Sequence, residues 1–414
     1  MPAAGGVYRW ARDQKSPSIW PLPGCNRNAG FGNLKIVGSV GLEPTVLPVA
    51  HRTRRIPQLD TLRGFLLVWM TLTHLPTRIS AYSNQVVGYI SAAEGFILLA
   101  AVLTGQIQRR ANEKYGNRVA RGRLFQRALR IYSYHLVLLG VAFGICGTAA
   151  VYLNRAPLQY LLDFFIAKPK TALASAPLLL YNPPLLDILP VYIIFMLLSP
   201  LLLRAAERRG WVPVLCLSAF VWLLAQGHLR GWLHAALAHR GFPIPLNEMG
   251  AFDIFAWQFL WISGLALGEV RFPAHWPKWA LTSCGLVAAI LFVCRHSALD
   301  KLVGPVVFDV LVDKWRLGIL RLIDAVALGI LILRFGSPLA DSRLGAKLAV
   351  LGRASLEVFS AHLIFCFVFL GLGQGPDAHF TPWQDIAILA TTLAGMYVVA
   401  WRAERQRKCA PGVQ

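Results

Sequence analysis

Charge is what this sequence has little of: 15% of its 414 residues are Asp, Glu, Lys or Arg, where a soluble domain carries roughly 25%. The charges it does have pile up between apolar windows instead of interleaving with them at helix or strand period. That excludes a large soluble core, and a chain that is 56% hydrophobic reads as a polytopic membrane protein. A metal-binding cysteine spacing is also lacking. Cys25, Cys146, Cys216, Cys284, Cys294, Cys366 and Cys409 stand apart, mostly inside apolar blocks, as small core residues. There is no P-loop, no Gly-x-Ser-x-Gly, no His-Glu-x-x-His and no Gly-x-Gly-x-x-Gly, so those enzyme classes gain no support. No internal repeat marks an inverted-repeat transporter. Acidic residues are scarce beside basic ones, leaving a net charge of +21. Nucleic acid is not the partner this implies, because the basic residues fill short connections between apolar blocks with no aromatic-and-basic groove pattern.

What is present is a series of apolar segments. They predict an all-α fold with about ten transmembrane helices, near 60–79, 86–107, 129–152, 186–204, 211–228, 252–270, 278–294, 316–335, 350–371 and 384–402. The half-apolar stretch 158–181 is broken by Lys168, Pro169, Lys170 and Pro177 and reads as a re-entrant or surface-lying piece. Residues 1–55, rich in Gly, Pro, Asn and Arg, read as a disordered cytoplasmic tail, 56–402 as the membrane domain and 403–414 as a basic cytoplasmic tail. Alternate loops carry most of the Arg and Lys, including Arg109, Arg110, Arg204, Arg208, Arg402 and Arg405. The positive-inside bias therefore predicts that both termini are cytoplasmic. The loop 295–315, with Arg295, Lys301 and Lys314, runs against that pattern.

Ionisable residues inside apolar segments are costly and so are candidates for function. The first segment holds Asp60, Arg63 and His74. At 100° per residue, the spacing from Arg63 to His74 is three turns plus about 20°, which puts them on one helix face roughly 16 Å apart. Such a face could hold a long donor at one end and do chemistry at the other. Glu94, at the depth of His74 on the next helix, could orient the imidazole. Arg127 and Arg130 share a face at the start of the third segment, where two guanidinium forks suit phosphate or carboxylate oxygens. Positive-inside anchoring explains that pair nearly as well. Arg321 either faces an anion or snorkels; His362, five residues after Glu357, either lines a cavity or bonds a neighbouring helix. His228, His234 and His239 match no metal template.

With these residues in place the sequence resembles a known family. Leu59-Asp60-Thr61-Leu62-Arg63-Gly64, followed by His74, is similar to the opening of the membrane-bound acyltransferase-3 superfamily, and more narrowly of the OpgC family, which succinylates osmoregulated periplasmic glucans. Ala92-Ala93-Glu94-Gly95-Phe96, Trp257-Gln258-Phe259 with Ser263-Gly264, Lys314-Trp315-Arg316 through Leu322, and Leu351-Gly352 through Glu357 to His362 extend the likeness over about 55–402. One departure is Ala100-Ala101, where the family usually has Ser-Gly.

The resemblance implies a ten-span helical enzyme of the bacterial inner membrane that moves an acyl group, succinyl above all, from cytoplasmic acyl-CoA to hydroxyls of a periplasmic glucan. Its partners would be the acyl-CoA donor, the glycan acceptor and the lipid bilayer, and it needs no metal or redox cofactor. His74 matches the family's essential histidine, Arg63 its first-span arginine and Arg127 with Arg130 its Arg-x-x-Arg pair. The expected catalytic set is thus His74, Arg63, Glu94 and Asp60, and the expected donor-binding set Arg127, Arg130, Arg321 and His362. Histidine suits the reaction, which needs a base near neutrality for the hydroxyl proton; the arginines suit the thioester oxygen and donor phosphates. The other class that places Arg, His and Glu within spans is a transporter or flippase.

Overall fold

A computed structural model describes residues 57–270, 276–297, 305–373 and 380–409. The expected tail at 1–55 lies outside the described residues. Among those described every element is helical. The helices are α1 (Pro57–His74), α2 (Arg78–Ser83), α3 (Ala92–Gly140), α4 (Gly147–Tyr152), α5 (Ala156–Leu161), α6 (Asp163–Ala167), α7 (Pro169–Ser175), α8 (Ile188–Arg209) and α9 (Trp211–Gln226). They continue with α10 (Leu229–Ala238), α11 (Ile254–Glu269), α12 (Lys278–His296), α13 (Pro305–Val312), α14 (Ile319–Phe335), α15 (Ser337–Asp341), α16 (Arg343–Arg353), α17 (Ser355–Leu372) and α18 (Pro382–Cys409). Residues 55–406 form one compact unit.

Six helical stretches are long and apolar enough to cross a membrane: Ala92–Tyr152, Ile188–Arg209, Leu246–Glu269, Lys278–His296, Ser355–Leu372 and Pro382–Cys409. The bent pair α9–α10, with 68° between its halves, makes a seventh if counted as one span. All ten expected segments are helical, yet the two counts differ for physical reasons. The segments 86–107 and 129–152 belong to one stretch, Ala92–Tyr152. α1 carries Asp60, Arg63 and His74, which lower its apolarity, and α14 has only 17 residues. Large apolar side chains such as Leu201, Val212, Leu217 and Phe220 are exposed, as a lipid-facing surface requires.

Two expectations are corrected. The basic connection over 108–128 is helical rather than a loop: α3 continues through it and breaks only at Gly116, whose φ of 77° favours glycine. The break folds α3 back on itself. Asn112 and Asn117, on either side of it, both donate to Glu207, and Phe96 and Arg130, from the two arms, meet neighbouring positions of α17. The basic tail expected over 403–414 is likewise helical as far as Cys409. By contrast 158–181 holds only the short helices α5 to α7, none long enough to span a bilayer.

α1 and α16 are in backbone contact. A side chain on Gly64 would collide with the carbonyl of Leu348, and one on Gly352 with the carbonyl of Asp60. This is the small-residue packing by which membrane helices approach closely. Thr61 adds a buried bond of 3.1 Å from its hydroxyl to the Gly345 carbonyl. The departure at Ala100-Ala101 has a counterpart in packing: the wholly buried Ala101 methyl fills the space opposite Gly264 on α11.

Candidate active site

His74 is the last residue of α1 and His362 lies in the middle of α17. Nδ1 of His74 is 3.2 Å from Nε2 of His362, and the two rings stack with centroids 5.5 Å apart. His362 is wholly buried, and its Nδ1 is 2.6 Å from the Phe359 carbonyl. Among the described residues no carboxylate is in ion-pair distance of it, so a charge there would be buried without a counter-ion and the ring is neutral. The bonding then fixes the tautomers. A carbonyl only accepts, so Nδ1 of His362 donates and its Nε2 accepts. His74 must therefore donate from Nδ1, which leaves the lone pair of its Nε2 for another proton. A turn further along, Leu75 packs with Cys366 and Ile388 to make an apolar floor.

Arg63, on the same helix, donates to the carbonyl of Gly352 at 3.2 Å and lies 3.9 Å from Asp60. Arg63 and His74 thus both turn toward the α16–α17 segment, as their spacing predicts. The arginine pair diverges instead of sharing a partner. Arg127, half-buried, donates to the Tyr192 hydroxyl of α8 at 3.0 Å, while the exposed Arg130 pairs with Glu357 of α17 at 2.7 Å.

Glu94 and Arg321 need a different account from the one expected. Both are wholly buried and bonded to each other, with Arg321 Nε 2.7 Å from Glu94 Oε1 and Nη2 donating to the same oxygen. The other oxygen of Glu94 accepts from the Ser91 amide at 2.9 Å and from the Ser91 hydroxyl. This closes a capping box at the start of α3. The bonds of Glu94 thus go to Ser91 and Arg321 rather than to His74. Arg321 has no exposed surface and donates to Glu94 and to the Val312 carbonyl. Three residues on, Asp324 accepts from the amides of Tyr89 and Ile90 at 2.7 and 3.2 Å. α14 thereby clamps the entry to α3. His362, expected among donor-binding residues, is instead the partner of His74. Phe96 stacks on Phe359, which stands edge-on to His362, and so links the clamp to the histidines.

Sequence reading missed two features. It named both histidines but not their pairing, which no local spacing signals. It also gave Lys314 no role beyond a loop charge and a place in a family-like stretch. Lys314 lies within electrostatic reach of His74, Glu94, Arg321 and Asp187. The histidines of 228–239 sit on and around α10, where His234 bonds the Ile244 carbonyl and His228 meets Arg316. No group of His, Cys, Asp or Glu among the described residues could hold a metal ion.

No curated protein and no solved structure matches the chain. The segment that carries all these residues, 55–408, matches the family described as OpgC protein. With the apolar helices above, that match makes this a multi-pass membrane protein, and since it covers most of the chain, the chain belongs to the OpgC family.

Proposed function

We propose that this protein is a membrane O-acyltransferase, related to the acyltransferase-3 superfamily, that moves a succinyl group from acyl-CoA to a hydroxyl of a periplasmic glucan. The observation that carries the reading is the His74–His362 pair, which leaves one histidine nitrogen unprotonated and the opposite side of that ring anchored. Nε2 of His74 takes the hydroxyl proton as the sugar oxygen attacks the thioester carbonyl. The C–O bond forms, the C–S bond breaks, and the proton passes from His74 to the departing thiolate. His362 accepts the Nδ1–H of His74 throughout, and that bond strengthens while the imidazole is positively charged. Arg63 would meet the donor along the shared face of α1, and Arg127 with Arg130 its phosphates. The chain sits in the bacterial inner membrane with ten spans and both termini cytoplasmic.

Mass spectrometry of periplasmic glucan tests the activity. Cells carrying the gene should hold acylated glucan and cells without it should not. His74→Gln, which keeps polarity but cannot carry the proton, should lose about 100-fold or more of the transfer rate at matched protein level. An active His74→Gln would show that the base lies elsewhere. Reporter fusions test the topology: those after 115, 206 and 340 should report cytoplasm, and those after 170 and 240 periplasm. A periplasmic signal after 206 would overturn the ten-span arrangement.

A further inference from the structure

The connection from α13 to α14 is held more firmly than a loop needs to be. The carbonyls of Trp315, Arg316 and Leu317 accept from side chains of α9 and α11: Trp257 Nε1 at 3.0 Å, Gln226 Nε2 at 2.7 Å and Trp222 Nε1 at 3.0 Å. The Trp315 carbonyl also takes the Asp253 amide at 3.0 Å. Asp313 accepts from the amides of Trp315 and Arg316 and from the Arg316 side chain at 2.7, 3.0 and 2.7 Å. Leu317, wholly buried, has a φ of 53°, a conformation a branched side chain adopts only when its surroundings impose it. Strain held in place by bonds from two helices, α9 and α11, points to something the loop must present.

That something is Lys314. The Val312 carbonyl receives Arg321 Nη1 at 3.4 Å, which fixes one end of the loop beside the Glu94–Arg321 pair. On its other side, the Asp253 amide bonds Trp315, and the Ala251 amide bonds Asp187 at 3.1 Å. Lys314 is thus set between the clamp and Asp187, within electrostatic reach of His74. Its ammonium lies 4.9 Å from the centre of the Trp315 ring, and among the described residues no carboxylate is within ion-pair distance of it. Of the nearby acids, Glu94 is filled by Arg321 and Ser91, and Asp187 accepts from the Ala251 amide on one oxygen without forming an ion pair with Lys314. Burial pulls Lys314 below the ordinary lysine range, so an arriving anion would relieve a cost already present.

We infer that Lys314 binds the free carboxylate of a dicarboxylic acyl group and so selects donors of the succinyl type over neutral ones. The inference rests on the acyl-transfer reading above. In such a group the free carboxylate stands two methylenes from the carbonyl under attack, so a cation within electrostatic reach of the base suits it. One unpaired ammonium balances one carboxylate; the more highly charged phosphates of a donor suit guanidinium forks better.

The test uses the full-length protein in lipid nanodiscs with glucan as acceptor and three donors: succinyl-CoA, its neutral methyl ester and acetyl-CoA. The wild type should favour succinyl-CoA over the ester by about 30-fold or more, the loss typical of removing one partner of a buried charge pair. Lys314→Met should lose that preference while its transfer from acetyl-CoA stays within a few-fold of wild type, which also shows that it folds. Lys314→Arg, which keeps the charge, should restore part of the preference. A wild type that uses succinyl-CoA and its ester equally, or a Lys314→Met that lowers all donors alike, overturns the inference and leaves the acyl-transfer reading standing. A wild type that acylates glucan from none of the three overturns that reading and the inference with it.

Discussion

Two polar pairs tie the early helices to the late ones, and they differ in how much of their bonding capacity is used. In the Glu94–Arg321 pair both carboxylate oxygens are filled, by Arg321 on one side and Ser91 on the other, and neither side chain has exposed surface. In the His74–His362 pair each ring is held by one nitrogen or two, but Nε2 of His74 is left over and the ring is only half-buried. A closed pair can position helices and nothing more. An open one can exchange a proton with a third molecule. The rule that intramembrane charges mark function therefore covers two separate roles, and the count of unused lone pairs and N–H groups distinguishes them.

The sharpest way to break this comparison is to open the closed pair. Glu94→Gln leaves Arg321 buried and unpaired, and Arg321→Met does the same to Glu94. Each single change should cost about 3–5 kcal/mol, seen as lost accumulation and a lower thermal midpoint in detergent. Replacing both removes the charges together, so Glu94→Gln with Arg321→Met should be more stable than either alone. His74→Gln should do the opposite, leaving stability unchanged while turnover disappears. If Glu94→Gln melted normally but lost turnover, Glu94 would belong with the chemistry and the distinction would fail.

A smaller effect is expected at His362, which acts on the reaction only through His74. His362→Leu removes the acceptor that orients the imidazole and should lower kcat by about 10–100-fold with little change in KM for the donor. His362→Gln can still accept the Nδ1–H of His74 through its amide oxygen and should recover part of the rate. Equal kcat in the leucine and glutamine variants would mean that the contact is packing alone.

Much of this was legible in the sequence, and the gaps have physical causes. Apolar segments and the shared face of Arg63 and His74 are local properties, readable from composition and the helix repeat. The helix over 108–128 was hidden because hydropathy reports affinity for lipid, and Arg, Lys, Glu, Gln and Ala form helices well in water. The histidine pair joins residues 288 apart in the chain, a separation no periodicity spans. Lys314 stood against the positive-inside pattern in an instructive way. A basic loop residue reports a cytoplasmic side only if it is solvated, and Lys314 is half-buried, within electrostatic reach of Glu94 and Asp187. The pairing of Glu94 with Arg321 was not legible because sequence shows that a charge is buried but not whether another charge already meets it.

The smallest expected effect sharpens the comparison from the donor side. Arg127 and Arg130 each hold one partner, Tyr192 and Glu357, which leaves most of a guanidinium's five N–H donors unused, and unlike Arg321 both keep exposed surface on which to use them. Arg130, whose side chain is 54% exposed, has more of that capacity turned outward than the half-buried Arg127. Lysine preserves the positive charge at the helix start, and with it any anchoring role, but loses the planar fork. Losing one hydrogen bond of about 1 kcal/mol should raise KM for acyl-CoA about fivefold, with kcat and membrane insertion unchanged. The shift should be larger for Arg130→Lys than for Arg127→Lys, because Arg127 spends part of its fork on a buried-side partner that lysine can also reach. Steady-state kinetics at limiting donor decide the matter. Unchanged KM in both variants would make these arginines anchors, closed to the donor in function though open in geometry, and would restrict the open class to His74.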